Sequence, residues 1–303
     1  MIIDIHTHLG DILAPNGGML IFRKGVRKQR ILDLITVAEW GLYKTNPVSE
    51  WVLTSLCEDL VTKAARARNL TATLENFRRS MDENGVAKSA CMPIAPYVTF
   101  DDLKRARELD DGVIPFTSVD FSRHRDPEVQ LKNDVAAGAR GLKLHPIIQK
   151  ERLSSKRTLE AVEAFAPHEL PVLFHSGVQS YYLGAEKAEK QKTEYGDTAE
   201  AASLCTAFPG VSFIVGHAGL LHYRQTIDLF SSQKNVCVDL SFQSPNNIRN
   251  LTRAFGPERV LYASDWPWGD RKTSIASVSK ACSGDKSLER LIYHENAERL
   301  LKL

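Results

Sequence analysis

Eight times along this chain a short apolar run gives way to a stretch with helical spacing, and that rhythm constrains the fold more than any other feature. The runs are Met1–His8, Ser89–Ile94, Val113–Val119, Arg140–His145, Pro171–His175, Val211–His217, Val236–Leu240 and Val260–Asp265. Several are nearly continuous in Val, Ile, Leu and Phe, as expected of parallel strands covered on both faces. Helices are expected between them. One runs through Leu74, Phe77 and Met81, capped by Thr73 and stopped by Asn84-Gly85. Others are expected over 101–109, 127–137, 155–166, 198–208, 221–230 and 248–255, with 273–281 and 288–301 closing the chain. Alternating β and α units repeated in this way argue for one α/β domain over 1–303, a closed (β/α)8 TIM barrel. A doubly wound open sheet is the competing architecture. No Gly-x-Gly-x-x-Gly follows the first run, which weakens a nucleotide-binding version of it.

The first unit is interrupted. Between the first strand and the helix at 74 lies a helical insertion over about 11–69, with helices expected at 31–43 and 52–68. It opens with a basic loop, Ala14 to Arg30, carrying Arg23, Lys24, Arg27, Lys28 and Arg30. The loop reads as a solvated face or as a lid supplying cations to an anionic substrate. The polar stretch Gln179–Lys192 reads as a solvated loop, and Tyr181-Tyr182 within it as a candidate substrate contact.

Composition excludes more than it assigns. A chain of 303 residues, 43% hydrophobic and 25% charged, has the balance of a soluble globular protein able to bury a large core. A formal net charge of +2 argues against nucleic acid or a membrane surface as partner, and no apolar run is long enough to span a bilayer. Cys57, Cys91, Cys205, Cys237 and Cys282 are scattered and lack Cys-x-x-Cys spacing. They read as reduced, mostly buried thiols of a cytoplasmic protein. No basic-apolar leader precedes the first strand, so no signal peptide is expected.

In this architecture the residues at the strands' C-terminal ends meet at one rim. Here those ends carry His6 and His8, Lys143 and His145, His175, His217 and Asp265. His6 and His8 are two apart, so both project to one face of an extended strand, and the same holds for Lys143 and His145. Imidazole nitrogens with a carboxylate suit Zn²⁺ and related divalent ions. Asp265 can both touch such an ion and take a proton from a water, and His217 can accept a proton or stabilise charge on a substrate. Asp239, ending the seventh run, reads as structural. Trp266 and Trp268 read either as pocket walls or as packing. Arg123, His124 and Arg125 read as surface charges or as a clamp for a substrate carboxylate.

His6-Thr7-His8, Gly141-Leu142-Lys143-Leu144-His145-Pro146, Leu173-Phe174-His175-Ser176-Gly177, Val215-Gly216-His217-Ala218-Gly219, Tyr262-Ala263-Ser264-Asp265-Trp266-Pro267 and Asn296-Ala297-Glu298-Arg299-Leu300-Leu301 together resemble the amidohydrolase superfamily, in its amidohydrolase 2 branch of hydrolases and decarboxylases. The resemblance implies a metal-dependent TIM barrel with His6, His8, His175 and Asp265 as metal ligands. It also implies that Asp265 is the general base. His217 corresponds to a histidine that binds a second metal in binuclear members and is catalytic in mononuclear ones. Lys143 stands where a carboxylated lysine bridges two metals in binuclear members. One ion is favoured here, with Lys143 and His145 beside it, and two remain an alternative.

Three functions are compatible with these residues. The first is a metal-dependent hydrolase of a small amide, ester or lactone, using a metal-activated water. The second is a non-oxidative decarboxylase of an unsaturated or aromatic carboxylic acid. The third is a non-catalytic metal-binding barrel. The expected partners are a small-molecule substrate, anionic in one reading, and a second copy of the chain.

Overall fold

The computed structural model describes residues 1–13, 16–27, 35–37, 39, 58–123, 126–177, 180–190 and 192–303. Its strands are β1 (Ile3–Thr7), β2 (Lys88–Cys91), β3 (Val113–Pro115), β4 (Leu142–Leu144), β5 (Val172–Phe174), β6 (Phe213–Val215), β7 (Val236–Asp239) and β8 (Val260–Leu261). Its α-helices are α1 (Glu58–Asn69), α2 (Leu74–Asn84), α3 (Phe100–Leu109), α4 (Pro127–Ala136), α5 (Pro146–Gln149), α6 (Lys156–Phe165), α7 (Ala185–Lys190), α8 (Thr198–Ala207), α9 (Tyr223–Phe230), α10 (Pro245–Phe255), α11 (Arg271–Cys282), α12 (Lys286–Arg290) and α13 (Asn296–Leu301).

The strands pair in sequence order, all parallel, as β1-β2-β3 and β4-β5-β6-β7-β8. Two parallel bridges join these runs into a ring. Thr117 pairs with Leu142 between the third and fourth units, and Thr7 pairs with Trp266 between the eighth and the first. The second seam is sealed by hydrogen bonds from Ile5 N to Tyr262 O (3.0 Å), Asp265 N to His6 O (2.9 Å) and His8 N to Trp266 O (2.7 Å). The molecule is a (β/α)8 barrel.

Side chains alternate across each strand. Leu142, Leu144, Val172, Phe174, Phe213 and Val215 pack outward among the helices. Ile3, Ile5, Ile114, Leu173, Ile214 and Leu261 fill the interior. On β4 the residue between the outward leucines is Lys143, wholly buried. On β1 the register slips: Asp4 pairs with Ser89 but Thr7 with Cys91, so β1 carries one extra residue. This bulge lets Ile5 stay in the apolar interior while its neighbour His6 also faces inward.

Helix boundaries follow local chemistry. Thr73 Oγ1 accepts from Asn76 N at the start of α2, and Gly85 ends it in the left-handed region at φ 64°. Thr99 and Asp102 form a reciprocal capping box on α3. Helix α10 begins at Pro245 rather than at Ile248, because Ser244 caps it and proline fits its first turn. The stretch expected to be a polar loop at 179–192 contains α7 and buries Tyr181 and Tyr182. Within the stretch expected to be an insertion, α1 spans Glu58–Asn69 and residues 35–37 and 39 are helical. Lys28, Arg30 and the remainder of 31–57 lie outside the described residues, as do Cys57, His124 and Arg125. Arg23, Lys24 and Arg27 are described, with Arg23 bonded to Asn16 Oδ1 at 2.9 Å. Among the described residues no helix is long and apolar enough to cross a membrane.

Candidate metal centre

The seven side chains expected at the rim converge there, all buried. His6 and Lys143 lie within strands. His8, His145 and His175 stand one residue past a strand end, His217 two past and Asp265 four past. His217 and Asp265 occupy left-handed backbone, at φ 57° and 58°, a conformation that costs a non-glycine residue of order 1–3 kcal/mol and must be held by its surroundings. Gln243 Nε2 holds the first turn by donating to His217 O (2.7 Å) and Leu220 O (3.0 Å). The second is held by Trp268 N and Gly269 N, which donate to Asp265 O at 3.0 and 3.1 Å. A Cβ on Gly269 would meet Ser264 O at 1.8 Å, so glycine is required there.

The hydrogen-bond network assigns the imidazole tautomers. His6 Nδ1 lies 2.8 Å from Asp239 Oδ2, so its N–H donates to the carboxylate and Nε2 keeps the lone pair. His8 Nδ1 lies 3.0 Å from Met92 O, which frees its Nε2 in the same way. Ser241 Oγ donates to Asp239 Oδ1 (2.6 Å), so it accepts from His217 Nδ1 at 2.7 Å. Asp239 thus orients His6 directly and His217 through a hydroxyl. Reading it as structural missed this role. Its place at a strand end was the available signal.

Around these rings stands Asp265. Its Oδ1 lies 3.7 Å from His6 Nε2 and 3.5 Å from His8 Nε2, and its Oδ2 lies 4.0 Å from His217 Nδ1. That buried Oδ1 has no hydrogen-bond partner among the described residues. Ligand atoms of His6, His217 and Asp265 all fall within 4.8 Å of one another. Donors on a tetrahedral ion with bonds of about 2.1 Å stand about 3.4 Å apart, so the spacing and the orphaned oxygen fit a divalent cation.

Burial pushes all five imidazoles down, His175 to about 3, so their neutral, ligating form prevails. Burial lowers Lys143 to about 7 against the pull of Asp265 and Asp239, and its Nζ lies 2.9 Å from His6 Nε2. Burial also pushes the Asp265 carboxyl well above the usual carboxylate range, opposed by Lys143.

His145 and His175 stack at 4.3 Å. The Tyr181 hydroxyl sits between them, 3.2 Å from His145 Nε2 and 3.4 Å from His175 Nε2. The same cavity is walled by Ile12 and Trp268. Trp268 stands edge-on to His8 at 5.2 Å and donates from Nε1 to Ala65 O, so α1 holds this wall. Trp266 instead packs on Phe77. Arg123 is exposed and paired with Asp120 at 3.2 Å.

The amidohydrolase family model (Amidohydro_2) matches residues 3–303. The chain belongs to the amidohydrolase family. Solved structures share the family fold at low identity. An uncharacterized TIM-barrel protein from Bordetella bronchiseptica has a TM-score of 0.66 at 16% identity, covering 99% of this chain and 98% of its own. A 5-carboxyvanillate decarboxylase mutant from Novosphingobium aromaticivorans, bound to manganese and 3-methoxy-4-hydroxy-5-nitrobenzoic acid, scores 0.65 at 15% identity, covering 100% and 97%. A probable 2-pyrone-4,6-dicarboxylic acid hydrolase from Acinetobacter baumannii, with citric acid bound, scores 0.60 at 13% identity, covering 100% and 99%. No curated protein sequence matches the chain. Hydrolase and decarboxylase thus occur on this same amidohydrolase fold.

Proposed function

We propose that the chain is a metal-dependent hydrolase of a small amide, ester or lactone, working with one divalent ion, Zn²⁺ by its donor set. The observation that carries this reading is the buried Asp265 Oδ1, facing two imidazole nitrogens with no proton donor of its own. His6, His8, His175 and Asp265 would hold the ion, three nitrogens and a carboxylate. Bound there, a divalent cation supplies Lewis acidity and lowers the pKa of a water towards neutrality. With a cation held there, Asp265 would be charged in spite of the burial that disfavours its carboxylate.

Asp265 then takes the proton from the attacking water. Asp265 would return that proton to the leaving nitrogen or oxygen as its bond to the acyl carbon breaks, while His217, with Nδ1 fixed on Ser241, keeps its other nitrogen free to accept a hydrogen bond from the substrate. Lys143 and His145 complete the polar lining, the first against His6 and the second through Tyr181. Tyr181, Ile12 and Trp268 restrict the cavity to small substrates and exclude bulk water.

Metal analysis of the purified protein tests the ligand set. His6→Ala and Asp265→Ala are expected to lose metal and activity together, and full metal content in His6→Ala would remove His6 from the ion. A screen of lactones, amides and carboxylic acids in ¹⁸O-water tests the reaction. Isotope in the product supports hydrolysis. Carbon dioxide released from an acid with no isotope retained overturns it in favour of decarboxylation. A metal-replete protein inert to the whole screen speaks for a binding barrel.

A further inference from the structure

We propose that a cleft beside the sixth and seventh units, separate from the metal centre, is a binding site for a small molecule carrying two or more carboxylate or phosphate charges. The cleft holds about 740 Å³, a size suited to a small organic ligand. Tyr223 and Arg224, at the start of α9, form one wall. Asn246, Arg249, Asn250 and Arg253 form the other, spaced three and four apart so that they share one face of α10.

Three arginines therefore line one concavity, and among the described residues no carboxylate lines it. Among the described residues their hydrogen bonds run to neutral groups. Arg224 Nε donates to the Tyr223 hydroxyl at 3.2 Å, Arg253 to Asn250 Oδ1 at 3.2 Å, and Arg249 to Lys280 O at 3.2 Å and to Asn246. These bonds hold the guanidinium planes in place without cancelling their charge, which lowers the ordering cost of binding an anion. Planar guanidinium matches carboxylate and phosphate oxygens two at a time.

The cleft is walled off from the metal centre. The Phe242 ring lies 5.6 Å from that of His217, and Gln243 lines the cleft while bonding the His217 carbonyl. No residue lining the catalytic cavity lines this cleft. Its occupant is therefore a second molecule rather than the far end of the substrate, and the inference stands independently of the reaction proposed above.

Calorimetric titration of the intact protein with inorganic pyrophosphate tests this. Wild type is expected to show saturable binding at one site. R249Q/R253Q and, from the opposite wall, R224Q are each expected to weaken it by about tenfold or more. Lys286→Gln, exposed and paired with Glu289, is expected to leave it unchanged. Absence of saturable binding in wild type overturns the proposal. So does affinity within about twofold of wild type in either arginine variant, or an equal loss in Lys286→Gln.

Discussion

Asp239 shows what a single residue contributes to this site. One oxygen accepts a hydrogen bond from His6 Nδ1 and the other from the Ser241 hydroxyl, which in turn accepts from His217 Nδ1. Asp239→Asn keeps the shape but offers His6 an amide in place of a carboxylate, weakening control of its tautomer. Metal affinity is expected to fall by about 10- to 100-fold, measured by competition with a chromophoric chelator. Affinity equal to wild type would show that His6 needs no such partner. The residues gathered at the rim were legible in the sequence because a histidine, lysine or aspartate closing an apolar run has a definite place in a barrel. Asp239 closed such a run as well. Its partner His6 is 233 residues away, and no local spacing announces that pairing. Tyr181 was hidden for a similar reason. A tyrosine in a polar stretch reads as solvated until the fold stacks His145 and His175 around its hydroxyl.

Elements were legible where their signals are local. Caps, stop glycines and apolar runs located α2, α4 and α6 to within a residue or two of their structural ends. Helix α7 carries no apolar periodicity. Ion pairs join it to α1, Lys187 with Glu58 at 2.6 Å and Arg66 with Glu186 at 3.5 Å, and such partners are visible only after folding. The turn after β6 is similar. His217, Ala218 and Leu220 all take left-handed backbone, at φ 57°, 44° and 55°, and nothing in Gly-His-Ala-Gly-Leu requires it. Gln243, from the next unit, holds that turn through two carbonyls and is itself fixed by Asn247 Nδ2 at 3.0 Å. Gln243→Ala strips both bonds and is expected to cost about 1–3 kcal/mol in urea denaturation. Faster amide exchange over 217–221 should accompany it. Unchanged exchange there would mean that the turn is kept by packing alone.

At the scale of the whole molecule, the barrel was legible because eight units repeat one pattern, while its closure rests on contacts between the chain's two ends. Burial governs the four described thiols. It pushes Cys91 to about 12 and Cys237 and Cys282 to about 11, and it raises Cys205. At pH 8 these thiols stay protonated, so the native protein should react with a disulfide reagent at no more than the Cys57 thiol until it is unfolded. A rapid reaction of two or more thiols would contradict the packing. Arg271 does most to tie the closure together. It is wholly buried, donates to Asp4 Oδ2 (3.1 Å) on β1, Ser89 Oγ (3.1 Å) on β2 and Phe77 O (3.3 Å) on α2, and stacks on Phe77 and Trp266. Asp4 in turn accepts from Ser264 N at 2.9 Å, beside Asp265. Arg271→Ala strands the Asp4 charge in the interior and is expected to cost about 3–5 kcal/mol, a loss borne by the whole barrel. Adding Asp4→Asn removes the stranded charge and should recover part of that loss, which a guanidinium denaturation series on the three variants would read. No recovery in the double variant would place the cost in lost packing against Phe77 and Trp266, and the ion pair would then be incidental to closing the ring.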